Sequence, residues 1–155
     1  EALAAAAIEP RKSLLGRYQL LGLITARLAE QKEAVQRQLE AASPLNRYPD
    51  AEKATVEKWE AELNAAVEAE YRRKRTELLL LFQWWLRDVW LGSTAVGSSL
   101  LAFPELEGAT RQVSARLSAR EASDNLWVLE RLQRQLATNV QEGLALEVGL
   151  LKLRL

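Results

Sequence analysis

Apolar residues recur along this chain at the three- and four-residue steps of an α-helix, and no stretch shows the alternation of a strand. Leu14, Tyr18, Leu21, Ile24, Leu28, Val35, Leu39 and Ala42 make the first stripe, which predicts a helix from about Arg11 to Ala42. Lys32 interrupts it. SPLNRYPD at 43–50 brings two prolines among Ser, Asn and Asp, so one helix ends there and another begins. Val56, Trp59, Leu63, Val67 and Tyr71 resume the stripe, and Leu78, Leu81, Phe82, Trp85 and Val89 carry it to Leu91 without Gly or Pro. That is about 40 residues, or roughly 60 Å of helix. Its first half is narrow-striped and charged, and is expected to stand in solvent as an antiparallel hairpin with residues near 24–42. Its second half is apolar nearly all round and is expected to enter a core.

GSTAVGSS at 92–99 reads as a small-residue loop. Leu106, Ala109, Val113 and Leu117 mark a short amphipathic helix after it. Ser118 and Glu121 have the spacing of a capping box, in which each satisfies a backbone amide the helix leaves open. They start a helix with the stripe Ala122, Leu126, Leu129, Leu132 and Leu136. Thr138 with Gln141, or Asn139 with Glu142, repeats that spacing and predicts a final helix. The pattern is that of an all-α helical bundle.

The final segment, TNVQEGLALEVGLLKLRL at 138–155, carries two apolar stripes. Val140, Leu144, Val148, Leu151 and Leu155 make one; Leu146, Leu150 and Leu153 make the other. Burying one leucine contributes roughly 1.5–3 kcal/mol, so a whole stripe left in water forfeits several such contributions. One reading gives the first stripe to this chain's own core and the second to a neighbouring subunit; the other buries both in the chain. On the first reading Leu146, Leu150 and Leu153, with Trp90 and Trp127, are the candidate interface residues. Glu at Leu150 or Leu153 would then break association, and Glu at Leu144 or Val148 would unfold the domain.

Composition removes many alternatives. In 155 residues there is no Cys and no His, so disulfides, thiol nucleophiles, the usual zinc sites and the imidazole base are excluded. Twenty-one basic residues balance 21 acidic ones, leaving no net field toward nucleic acid or an anionic membrane. LLLLFQWWL at 78–86 falls well short of the roughly 20 residues that span a bilayer. EALAAAAIEP at 1–10 lacks a basic start, reads as the end of an upstream helix, and suits a cytoplasmic chain. Met is absent even at position 1, which reads as a fragment of a longer chain.

Candidate chemistry is sparse. Gly92 and Gly97 have the spacing of a phosphate-binding loop, but Ser98 stands where its lysine belongs and a helix, not a strand, precedes it. Arg72, Arg73, Lys74 and Arg75 make a local cationic run flanked by Glu68, Glu70 and Glu77, which reads first as a solvated helix face and second as an acidic or nucleic-acid contact. Phe82, Trp84, Trp85 and Trp90 suit core packing first, a protein interface second and a base-stacking platform last. Glu57, Glu60 and Glu62 lie on a polar face with no His to complete a carboxylate metal site. No catalytic, cofactor-binding or metal-binding residue is assigned, and no small-molecule substrate is implied.

Three features in order nevertheless resemble a known family. ELLLLFQWWLRD at 77–88 is similar to a leucine-rich "WLRDLL" helix, FPEL at 103–106 to an "NPDL" helix start, and LWVLERLQRQL at 126–136 followed by TNV and LALE to an "RLALE" ending. That order resembles the end of bacterial DNA polymerase III clamp-loader subunits, over about 75–155. Within the family the delta-prime branch is nearest and gamma/tau is next; Gln141, Glu142 and Gly143 stand where the family usually has Pro-Arg. The resemblance implies a non-catalytic collar domain, one helical domain over 1–155 that joins other clamp-loader subunits in a hetero-pentamer for sliding-clamp loading in DNA replication. It also implies nucleotide-binding domains N-terminal to this fragment, no direct nucleic-acid contact from it, and an additional hairpin inserted at about 24–72.

Overall fold

A computed structural model gives the fold, and the structure describes residues 14–48, 50–94 and 100–155. The described residues form five α-helices and no strand: α1 Leu14–Ala42, α2 Lys53–Ser93, α3 Glu107–Ser114, α4 Ala119–Leu136 and α5 Glu142–Leu150. The expected upstream helix end at 1–10, the start of α1 near Arg11 and the loop residues 95–99 lie outside the described residues. Among the described residues no helix is long and apolar enough to cross a membrane.

The chain divides into two compact units. One holds the described residues up to Thr25 together with Leu78–Leu155; the other is Ala26–Glu77, where the expected insertion at about 24–72 falls. In the Ala26–Glu77 unit, Val35, Val67 and Tyr71 are buried along the stripes read from the sequence. Lys32, which interrupts the first stripe, lays its ammonium 5.1 Å from the centre of the Tyr71 ring and donates to Glu68 at 2.7 Å. The stem thus covers apolar surface while the charge is met by a π-face and a carboxylate. At the corner, Ser43 accepts a hydrogen bond from the Leu45 amide and Asn46 donates to the Glu40 carbonyl, closing α1 and opening a short 3₁₀ turn at Pro44–Asn46. Tyr48 and Trp59 meet beyond it, ring centres 6.0 Å apart.

The larger unit has a continuous core. Ile24 of α1, Leu79, Phe82, Trp85, Leu86 and Val89 of α2, Val113 of α3, Leu129 and Leu132 of α4, and Leu146 and Leu150 of α5 are all buried. Phe82 and Trp85 stack at 5.9 Å, and the Trp85 indole N–H donates to the buried Thr110 hydroxyl. Gly92, read from sequence as loop, is the penultimate residue of α2: a Cβ there would stand 2.8 Å from the Ser114 hydroxyl, so its lack of a side chain lets α2 and α3 approach.

Arg87 and Asp88, the polar pair ending the leucine-rich run, hold the turn that enters α3. Asp88 is fully buried and accepts from the amides of Ala102 and Phe103, each at 2.9 Å, while Arg87 donates to the Leu100 carbonyl at 3.0 Å. Hydrogen bonds to a charged group contribute about 1.5–3 kcal/mol each, which offsets the cost of burying the carboxylate.

Candidate protein-docking face

α4 and α5 form the face of interest, and α4 is well defined at its start. Ser118 accepts from the Glu121 amide through its hydroxyl oxygen, and the Ser118 amide donates back to the Glu121 carboxylate at 3.0 Å, completing the capping box. The bond from the Ser118 amide first, then one that the Ser118 hydroxyl donates to the same carboxylate at 2.8 Å, together with the nearby Arg154 guanidinium, hold the Glu121 carboxyl below its ordinary value. At the other end, Thr138 donates to the Gln135 carbonyl at 2.7 Å and so closes α4. The two capping spacings expected at Thr138 and Asn139 do not form: α5 begins at Glu142 after Gln141, with no side-chain cap.

α5 is shorter than the apolar run predicted. It ends at Leu150 in a turn through Leu151 and Lys152, and the last residues are held by Asn125 of α4. The Asn125 side chain accepts from the Arg154 amide at 2.9 Å and donates to the Arg154 carbonyl. Arg17 of α1 donates to the Leu151 carbonyl at 3.1 Å. This seating draws Leu153 into the core.

The two stripes are therefore divided in the opposite sense to the expectation. Leu146, Leu150 and Leu153 are 2%, 1% and 2% exposed, packed within this chain, whereas in the other stripe Val140, Leu144 and Val148 are 43%, 55% and 44% exposed and Leu151 and Leu155 are half-buried. The physical reason lies in the approach of α5 to α4. A Cβ on Gly149 would come within 2.9 Å of both methyls of Leu132, so the side of α5 bearing Gly149, Leu146 and Leu150 is the one that reaches α4. Of the other candidate interface residues, Trp90 is half-buried and Trp127 is 63% exposed.

Trp127 borders an open cleft between α4 and α5. The buried Leu132 and Gly149, the half-buried Val128 and the exposed Val148 line it as well. Leu144 lies one helical turn before Val148 on the same side of α5 and extends the apolar surface. Arg131, Gln135 and Lys152 complete the lining. The sequence reading missed Arg131, Lys152 and Asn125; the i, i+4 spacing of Trp127, Arg131 and Gln135 was the signal that could have grouped the first with the tryptophan.

The other sequence candidates fall elsewhere. In the cationic run, Arg73 pairs with both Glu70 and Glu77, Lys74 with Glu77, and Arg75 lies near the Tyr71 ring, 6.0 Å from its centre. The Arg73 bond holds the Glu70 carboxyl below its ordinary value, and Arg72 donates to the backbone carbonyl of Glu68. Glu57 and Glu62 lie near Lys53 and Lys58 at the i, i+4 spacing. Phe82 and Trp85 are core, while Trp84 is 45% exposed beneath the Arg87 guanidinium. No cluster of three or more potential metal ligands occurs among the described residues. Compared with models of protein families, with curated proteins and with solved structures, the chain matches none.

Proposed function

We propose that this chain is an assembly domain, the collar domain of a bacterial clamp-loader subunit of the delta-prime type. In that role it holds a hetero-pentameric cytoplasmic loader together while other domains open the sliding clamp, and does no chemistry itself. The single observation that carries an assembly role is the apolar face of α4 and α5, where Trp127, Leu144 and Val148 stand in solvent beside a cleft. A face of this kind is what an interface core needs, since aromatic and aliphatic anchors dominate association energetics. The clamp-loader form of the proposal is supported by the order of the three sequence motifs. Arg87 and Asp88 of the first and Phe103 of the second are joined around one turn, as residues of a shared local device would be.

The proposal includes a collar-type bundle for the larger unit and an antiparallel helical hairpin for Ala26–Glu77, consistent with the Lys32–Glu68 ion pair. The test is co-elution with purified bacterial clamp-loader subunits. Formation of a complex that Trp127→Ala weakens supports the proposal; elution of the chain by itself, at subunit concentrations where the loader assembles, overturns it. A gamma/tau collar is the second form, distinguished by which loader position the chain fills. A coiled-coil adaptor acting through Ala26–Glu77 is the alternative from outside the family, and indifference to every loader subunit favours it.

A further inference from the structure

The chemistry of the cleft narrows what can occupy it. Its volume is about 180 Å³, below the roughly 300–1,000 Å³ of small-molecule sites, so it suits the side-chain anchors of a macromolecule. Trp127, Val128 and Leu132 of α4 and Val148 and Gly149 of α5 give it an apolar lining, which suits apolar residues presented at helical spacing. The charged lining is of one sign only: Arg131 and Lys152 border the cleft, both are exposed, and no carboxylate lines it. Neither cation has a carboxylate partner among the described residues, whereas Arg134 on the same helix pairs with Glu130.

Resting on the proposal that this face is an assembly surface, we infer that the cleft receives an acidic amphipathic helix of a partner protein. The helix places its apolar residues against Trp127, Leu132 and Val148 and its carboxylates toward Arg131 and Lys152. A second copy of this chain fits poorly, because a two-fold contact through the cleft sets Arg131 and Lys152 against their own counterparts. Nucleic acid fits poorly as well. Two cations on a chain of zero formal net charge are few beside the roughly 6–10 phosphate contacts of strongly salt-dependent binders, and the floor is aliphatic.

The test uses the 155-residue chain and three fluorescent probes: a synthetic amphipathic helix with Leu on one face and Glu on the other, its Leu/Lys counterpart, and single-stranded oligothymidylate. The Leu/Glu peptide binds, binds less tightly as salt rises, and loses about tenfold or more in affinity with Trp127→Ala or with Arg131→Glu plus Lys152→Glu. Both cations are exposed, so the variants retain the wild-type circular dichroism; Arg131→Gln with Lys152→Gln replaces the reversal if it does not. Equal binding of the Leu/Lys peptide, preferential binding of oligothymidylate, or unchanged affinity in the charge variants overturns the inference. Co-elution with loader subunits that survives both charge variants also overturns it while leaving the assembly proposal standing. Charge-dependent peptide binding without co-elution supports it and removes only the clamp-loader form.

Discussion

Leu144 and Leu146 stand two positions apart on α5, yet one is 55% exposed and the other 2%. An apolar side chain contributes to stability through the water it leaves and the atoms it meets, so their substitutions should differ sharply. Leu146→Ala or Leu150→Ala lowers the unfolding free energy by about 2–5 kcal/mol in urea titration, whereas Leu144→Ala changes it by roughly 0.5 kcal/mol or less. Equal losses at the three positions would contradict the packing described. Glu121 supplies a second residue-scale prediction. Its folded carboxyl lies below the ordinary 4.5, so its stabilisation of α4 is present above that pH and is lost as pH falls through the folded value. NMR titration of the Glu121 side chain gives a midpoint under 4.5, and Ser118→Ala moves it part of the way back, because the backbone bond from residue 118 survives. A midpoint that ignores Ser118→Ala would show that the hydroxyl is not a partner in solution.

Among the helices, glycine separates propensity from packing. Gly22 lies inside α1 with nothing near the place of a Cβ, so Gly22→Ala gains helix propensity at no steric cost and raises stability by roughly 0.5–1 kcal/mol. Gly149 on α5 has the same intrinsic gain available, but its Cβ would come within 2.9 Å of the methyls of Leu132, which is 1% exposed. Overpacking costs about 1–3 kcal/mol, so Gly149→Ala lowers the thermal midpoint while Gly22→Ala raises it. The opposite order would place α5 farther from α4 than the structure does. The helices themselves were legible from period and punctuation: Ser118 with Glu121 opened α4 as read, and Ser43 with Pro44 follows directly on the end of α1. The start of α5 was not legible, because Thr138 has two uses for one hydroxyl and the carbonyl of Gln135 takes it.

For the whole molecule, the proposed assembly role rests on the apolar face of α4 and α5, where Trp127, Leu144 and Val148 are exposed. Leu144→Glu with Val148→Glu leaves the thermal midpoint of the isolated chain near the parent value, since both positions are about half exposed, and under the proposed assembly role removes co-elution with loader subunits. Leu150→Glu or Leu153→Glu unfolds the domain, since each places a charge where relative exposure is 1% or 2%. Loss of folding in the first pair, or its retention in either of the second, would restore the division of stripes first read from the sequence.

The all-helical class, the corner after Ala42 and the capping box were determined by the sequence itself, because each depends on neighbours within a few residues; the lack of thiol and imidazole chemistry follows from composition alone. Which stripe of α5 faces inward was decided by tertiary structure alone. A helix that is apolar on both sides carries no local preference between them. The choice rests on Gly149 fitting against Leu132 and on Asn125, more than 20 residues upstream in the chain, seating the backbone of Arg154. The same long-range seating leaves Trp127, Arg131, Val148 and Lys152 around one cleft, a grouping that spacing within either helix does not contain.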